Sequence, residues 1–514
     1  MKKLFYTFLV AVTSTSFVQA QSLNLNNINA SIFSNGALFY NGGSAVFEAP
    51  KGSGLSTVFA ANLWIGTISQ QGTLRVAAQT YAQPNDGGPA YNFGPVTDSA
   101  AYTAQQLVVN FSRVLKLNKG NISQHQANYV NTNYTPITNI ANWIGSGDVS
   151  KGVSPVLMPF HDTDGSGVYE PLNGDFPVIH GDEALQVLFS DNRVTKAAGN
   201  GRLNINIALQ AFAMGAPTDS ALHNTIFLRY RLHNVSLNNY DSLYLANWTD
   251  LDIGDYGDDY VGSDPARNSY YGYNATNNDN TAQGGYGTNP PAQAVVFLSH
   301  PMNRFIYYNN DTSVIGNPNT AQQKFGYMRG NNLVGQPLAE QFMFAGDPVE
   351  GTGSNELTLS NLPGDRRGLG VMPPISLAAG ASVCVDFAYV YGRGSSHLNS
   401  ITVMRARVDS VRNWYQNQTL GCSGLFTSVA APVQQLHGRA FPNPFNNELK
   451  VQLEQALTSG AALTICDVMG RELVREAWFT GQQESSLQLE LPAGMYVLRL
   501  QGAEQMFTTR LVKQ

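Results

Sequence analysis

Charge is scarce in this sequence: Asp, Glu, Lys and Arg together make up 13% of 514 residues, roughly half the usual quarter for a soluble protein. The net charge of -6 removes the electrostatic case for nucleic-acid binding, which needs a basic face to displace counterions. Cysteine is rarer still, with only Cys384, Cys422 and Cys466. An odd number cannot pair fully, and so few cannot frame a disulfide scaffold. One bridge, Cys384 to Cys422, is conceivable; three small buried thiols are the expected state. No CxxC or Cys/His cluster offers a structural zinc site. Long charge runs, heptads and low-complexity tails are missing, which excludes coiled coil and disorder. Nucleophile and phosphate-binding signatures (G-x-S-x-G, H-E-x-x-H, the P-loop) are missing too.

What is there reads as a loop-rich β protein. Hydrophobic residues reach 43%, enough for sizeable cores, and polarity comes from Asn, Gln, Ser, Thr, Gly and Tyr. The length points to about two to four domains. Lys2 and Lys3 form a positive start, Leu4 to Val12 a short apolar run, and Val18-Gln19-Ala20 a small-residue cleavage site. This pattern predicts a signal peptide over 1–20, with the mature chain starting at Gln21. No later apolar run approaches the ~18 residues of a membrane span, so an exported chain with no transmembrane span is expected.

From Ser22 to about Gly394, short alternating runs are separated by Gly, Asn, Asp and Pro. Val58 to Ile65, Leu74 to Ala78, Leu203 to Phe212, Ile226 to Val235, Leu243 to Trp248 and Val383 to Tyr391 are examples. Six to ten aromatic and β-branched residues between turn signals predict a mainly β fold of antiparallel sandwich domains. Ile401, Met404, Val408, Val411 and Tyr415 recur at helical spacing and predict one amphipathic helix near 397–416, capped by Ser396 or Asn399. A weaker short helix is expected to begin at Asn121. The expected division is an N-terminal β domain over 21–199, a second over 200–420 ending in the helix, a linker over 421–438, and a small domain over 439–514. That last domain carries short strand patterns at 449–453, 463–468, 472–478, 487–491, 496–500 and 507–512, with turns at Met469-Gly470-Arg471 and Pro492-Ala493-Gly494. An Ig-like sandwich follows.

FPNPFNNEL at 441–449, LTICDVMGREL at 463–473, LPAGMYVLRL at 491–500 and TTRLVKQ at 508–514 come in an order that resembles the type A C-terminal sorting domain of the type IX secretion system, over Phe441 to Gln514. The resemblance implies a Bacteroidota source and the type IX machinery as partner. It also implies passage through the outer membrane, then removal of the domain with anchoring to surface lipopolysaccharide or release. A compact terminal β domain behind a linker suits that use, since it can be read and cut independently. The preceding chain is similar to a group of large secreted proteins with the same signal and no assigned activity. The segments that carry this are FEAPKGSGLSTVFAANLWIG at 47–66, VAAQTY at 76–81, DTDGSGVYEPLNGDFPVIHGDEAL at 162–185, DIGDYGDDYVGSD at 252–264, YGTNPPAQAVVFL at 286–298 and FIYYNND at 305–311.

The sharpest chemical signal is DTDGSGVYE at 162–170. Calcium takes six to eight oxygens, and alternating acidic or hydroxyl positions aim side chains inward while Gly allows the sharp turn. Asp162, Asp164 and Ser166 take the first, third and fifth positions, Val168 offers its carbonyl, and Glu170 a direct or water-mediated contact. The twelfth position is Asn173 rather than the Glu of an EF-hand, no flanking helices are evident, and Asp175 is the residue that replaces it. A metal-free Asx turn is the competing reading. Calcium here would be structural, rigidifying a loop.

Asp250, Asp252, Asp255, Asp258, Asp259 and Asp264 form a second acidic cluster, too dense for all to stay ionised without a cation or raised pKa values. A second calcium, a solvated acidic turn and a carboxylate pair for glycoside hydrolysis are the three readings. Tyr270, Tyr271 and Tyr273, and Phe305, Tyr307 and Tyr308, are expected to build sheet faces, with sugar stacking the lesser reading. His161 and His180 flank the calcium-like loop as hydrogen-bonding residues. Asp98-Ser99-Ala100, Asp219-Ser220-Ala221 and Asp241-Ser242-Leu243 resemble the Bacteroidota O-glycosylation pattern. The overall expectation is a secreted cell-surface or extracellular protein, a calcium-stabilised binding or structural module for a glycan or surface-protein ligand. The alternative is a secreted polysaccharide hydrolase with Asp250 to Asp264 and neighbouring tyrosines as its cleft.

Overall fold

The computed structural model describes residues 18–82, 88–98, 100–418, 420–427, 434–457, 460–467, 472–502 and 505–514. The expected signal segment up to residue 17, Ser99, part of the linker and the Met469-Gly470-Arg471 turn lie outside the described residues. Contacts divide the chain into two units, Met1–Leu425 and Phe426–Gln514.

In the large unit the alternating runs form β1 (Ala60–Ile68), β2 (Leu74–Ala77), β3 (Glu183–Ser190), β4 (Ile205–Ala213), β5 (Thr225–Asn234) and β6 (Tyr240–Asp250). Then come β7 (Asp259–Asp264), β8 (Ser269–Asn274), β9 (Ala292–Phe297), β10 (Arg304–Asn309), β11 (Arg366–Val371) and β12 (Ser382–Gly392). A nine-stranded sheet runs β7-β8-β9-β12-β5-β4-β3, with Asn92–Phe93 and Leu115–Asn118 both pairing β3. A seven-stranded sheet begins with Asn200–Gly201 and runs β2-β1-β6-β11-β10, with Ile375–Leu377 also on β6. The pairs among the labelled strands are antiparallel, as the alternation predicts.

Strands from both sides of residue 199 share these sheets: β1 pairs β6, and β3 pairs β4. The expected break near Gly199 therefore falls inside the sheets, and 21–199 and 200–420 lie in one unit instead of two domains. Alternation marks which residues are strand and which face they present, but carries no label for the partner strand.

Leu63, Ile65, Leu243 and Leu245 of one sheet and Leu209, Leu228, Val295 and Phe387 of the other belong to a single buried core. At its centre the two sheets share polar contacts. Asn247 Oδ1 on β6 accepts from Tyr389 OH of β12 at 3.0 Å, Tyr270 OH of β8 at 2.9 Å and Thr249 Oγ1 at 2.8 Å. Tyr270 also stacks on Phe305 of β10, with ring centroids 4.9 Å apart.

Five helices lie among the described residues: one turn at Thr138–Ala141, and the longer α1 (Ala104–Phe111), α2 (Lys119–Asn128), α3 (Ala321–Met328) and α4 (His397–Gln416). The expected helix is α4, capped by Ser396, which accepts from the Asn399 N–H. Its stripe Ile401, Met404, Val408 and Val411 packs with Phe227, Val296 and Val390 in a second core on the nine-stranded sheet. Expected to start at Asn121, α2 starts at Lys119 because Asn118 and Asn121 cap each other's backbone amides. Neither α1 nor α3 was expected. Both open on Thr-Ala-Gln-Gln, at 103–106 and 320–323, with Thr and the second Gln forming a reciprocal capping box.

Cysteine chemistry departs from expectation. Cys384 of β12 and Cys422 are joined as a disulfide, with Cα atoms 5.7 Å apart across 38 residues of sequence, and Cys466 is free. The fold of α4 back onto β12 brings the two together. Beside it Arg229 makes a buried 2.7 Å ion pair with Asp386 and donates to the carbonyls of Leu420 and Gly421.

The small unit has a five-stranded and a three-stranded sheet. Strands Glu448–Leu453, Ala461–Asp467, Glu472–Trp478, Gly494–Gly502 and Gln505–Lys513 cover the expected ones to within a residue, while the strand expected at 487–491 lies earlier, at Glu484–Gln488. Leu449, Val451 and Leu487 of one sheet meet Ile465, Leu498, Leu500 and Leu511 of the other in one core.

Replacing Asn247 with Leu removes the acceptor shared by three buried hydroxyls. The expected loss is about 1–2 kcal/mol of unfolding free energy, the net worth of the lost hydrogen bonds, since the hydroxyls still pair with one another; it is read by urea denaturation, and a change below ~0.5 kcal/mol would show that the network carries no weight.

Candidate functional site

The predicted loop lies between two short paired strands, Phe160–Asp162 and Phe176–Pro177, so it is a hairpin without EF-hand helices. Gly165 and Gly167 take positive φ of 76° and 78°, the left-handed turn positions that glycine permits. One oxygen each of Asp162, Asp164 and Asp175 lies within 4.8 Å of the others. Asp162 is 2% exposed and Asp175 0%. Ser166 Oγ sits 3.2 Å from both the Val168 carbonyl and Glu170 Oε2. All six sequence-predicted residues thus line one turn.

The loop also satisfies itself. Asp162 accepts from the amides of Gly165 and Gly167 at 2.9 and 2.8 Å. Asp175 accepts from those of Thr163 and Glu170 at 2.7 and 2.8 Å. Asp164 takes the Ser166 amide and, at 3.0 Å, the Asn173 side chain. The Ser166 amide, with further hydrogen bonds, holds the Asp164 carboxyl below its usual range. Burial pushes Asp175 up against the pull of its two amides. Each carboxylate oxygen has two lone pairs, so these bonds leave room for a cation. His161 stacks on Phe176 at 4.5 Å, and His180, pushed down to about 4 by burial, lies against Phe212. The residue that does reach the loop is His125, whose Nε2 donates to the Asp175 carbonyl at 2.9 Å. Sequence gave no signal for it, since α2 brings it from a separate segment.

The second acidic cluster separates into three places. Asp264 pairs with Arg267 at 2.9 Å and faces Arg405. Asp255, Asp258 and Asp259 gather near Asp279, where burial and like charges raise Asp258 to about 6 and push Asp259 well above the carboxylate range. Asp258 accepts a hydrogen bond from Asn274 Nδ2 at 2.6 Å. Asp250 and Asp252 join Asp365, a residue the sequence reading missed because it lies over a hundred positions away. One oxygen of each of these three lies within 4.8 Å of the others. Burial lifts Asp250 to about 6 despite Arg367, and lifts Asp252 further, aided by the Asp250 charge.

Tyr270, Tyr271 and Tyr273 are 0% exposed, and Phe305 and Tyr308 are buried too. They build sheet faces, as expected, and cannot line a cleft. Ser220 and Ser242, of the two Asp-Ser motifs inside the described residues, are exposed.

In the small unit the first and last motifs meet. Asn443 donates to the Arg510 carbonyl at 2.7 Å and accepts from the Val512 amide at 2.8 Å. Phe445, 1% exposed, exchanges backbone hydrogen bonds with Val512 and Gln514. Residues 439–514 match the family of secretion system C-terminal sorting domains. The small unit carries a type IX secretion sorting domain.

That sorting domain marks the chain for export to the cell surface or extracellular space. Among the described residues no helix is long and apolar enough to cross a membrane. No curated protein matches the chain. Among solved structures it is similar to a polysaccharide lyase, at 8% identity and TM-score 0.22, covering 62% of this chain and 36% of that one. It is also similar to an Escherichia coli K12 protein assigned as an aldose 1-epimerase, at 9% identity and TM-score 0.23, covering 74% of this chain and 100% of that one.

Asp258 has a folded pKa raised from 3.8 to about 6. Its contribution to stability is therefore fully present below its unfolded value and lost as pH rises through about 6. Asp258→Asn, which keeps the acceptor for Asn274, is expected to gain stability relative to wild type between pH 4.5 and 7.5, measured by urea unfolding in EDTA. A gap that stays constant over this range would contradict the assignment.

Proposed function

We propose that the chain is a secreted, calcium-stabilised binding or structural module, delivered by type IX secretion and acting without turnover on a glycan or surface-protein ligand. The observation that carries this reading is the 162–175 turn, where Asp162, Asp164 and Asp175 converge beside Ser166, Val168 and Glu170. Every donor is a hard oxygen, the ligand type calcium takes. Calcium there would fix the hairpin and its surroundings as a rigid surface; it would not create a reacting centre. The hydrolase alternative has less to stand on, because the tyrosines beside Asp250 to Asp264 are buried. Ligand identity rests with the surface of the large unit.

At ~2 mM calcium, an extracellular-type site of ~0.1 mM affinity stabilises the fold by about 1.8 kcal/mol through mass action. The mature chain is expected to melt several degrees higher in millimolar calcium than in excess EGTA, and Asp164→Ala to shrink the difference by the share that the 162–175 turn contributes. Equal melting temperatures in the two buffers would end the calcium reading. Export has its own test: a chain lacking 439–514 is expected to stay behind the outer membrane, and its appearance in the medium at wild-type levels would contradict the role of the sorting domain.

A further inference from the structure

Asp250 closes β6, Asp252 follows it, and Asp365 precedes β11. Arg367 is the cross-strand partner of Asp250. Its guanidinium reaches Asp365 Oδ1 at 2.6 Å and Asp250 Oδ2 at 3.5 Å. Tyr81 OH donates to Asp250 Oδ2 and accepts from Arg367 Nε and Nη2 at 2.9 and 2.7 Å. These contacts fix one side of the cluster. On the other, Asp250 is 1% exposed, and neither its buried Oδ1 nor the buried Oδ1 of Asp252 has a hydrogen-bond partner among the described residues.

Three carboxylates against one guanidinium leave negative charge in surplus, and a buried carboxylate oxygen facing no donor needs a positive partner. The donors are all carboxylate oxygens, with no sulfur or imidazole among them, which selects hard divalent ions over zinc or copper. Asp365, with its side chain 22% exposed, gives the cluster an opening to solvent. We propose that Asp250, Asp252 and Asp365 bind a hard divalent cation of the calcium or magnesium class, with Arg367 and Tyr81 as positioning residues. The site shares no residue with the 162–175 loop and stands or falls separately from it.

The test uses the full mature chain carrying Asp164→Ala, so that the 162–175 loop is disabled. Terbium is the probe, because Tyr81 and Trp248, with ring centroids 5.4 Å apart, sit beside the cluster as sensitisers. The expected result is saturable terbium luminescence excited through these rings, displaced by calcium. Adding Asp252→Asn is expected to weaken terbium and calcium binding at least tenfold. Because Asp252 Oδ1 has no hydrogen-bond partner among the described residues, the variant is expected to melt in EDTA no lower than its parent. Should Asp252→Asn fail to fold, Asp365→Asn supplies the same comparison. Absence of saturable luminescence in the Asp164→Ala chain, or binding unchanged by both substitutions, would overturn the proposal and leave shared protons as the neutralising charge.

Discussion

The large unit depends on one polar network held between two sheets. Asn247, Thr249, Tyr270 and Tyr389 come from β6, β8 and β12, and their side chains meet where water is excluded. Leucines alone would let one sheet slide over the other, since hydrophobic contact is non-directional. A shared acceptor with three hydroxyl partners has one good geometry, and a shift of either sheet would break it. The stacked Tyr270–Phe305 pair adds a second cross-sheet contact close by. The adjoining ends of β6 and β11, which carry Asp250 and Asp365, inherit their positions from this registration.

The two acidic sites solve the same problem in opposite ways. In the 162–175 turn, backbone amides aim at the buried carboxylates, so the loop holds its shape through its own peptide groups. At the end of β6, no amide among the described residues reaches Asp250 Oδ1 or Asp252 Oδ1, because the backbone of β6 is committed to β1 and β11. A turn can curl its N–H groups around an anion; a strand in the middle of a sheet cannot. The difference in local backbone, more than the number of acids, sets the electrostatic demand at each place.

Strand text was legible because period-two alternation is a local property, and β4, β5 and β12 fall within a residue or two of where Leu203 to Phe212, Ile226 to Val235 and Val383 to Tyr391 place them. The face of α4 was legible for the same reason. Partnership was not: nothing in Ala60–Ile68 names Tyr240–Asp250 as its neighbour, and so a domain break was placed inside two sheets. The grouping of residues 162–175 was readable because all six of those residues sit on one turn. Asp365, Arg367 and Tyr81 were not, since only the pairing of β6 with β11 and the return of the chain after β2 bring them to Asp250. The capping boxes of α1 and α3 were readable from their repeated Thr-Ala-Gln-Gln and were overlooked amid turn-rich surroundings.

The disulfide sits at a telling place along the chain. Cys422 comes shortly before Leu425, where the large unit ends, and its partner Cys384 lies in β12, flanked by β5 and β9. Tension applied at the tail meets this sulfur–sulfur link before it meets α4. The load passes into a strand clamped on both sides, where ladders of hydrogen bonds must shear together, instead of peeling a helix turn by turn. A chain towed by its tail keeps its last helix seated.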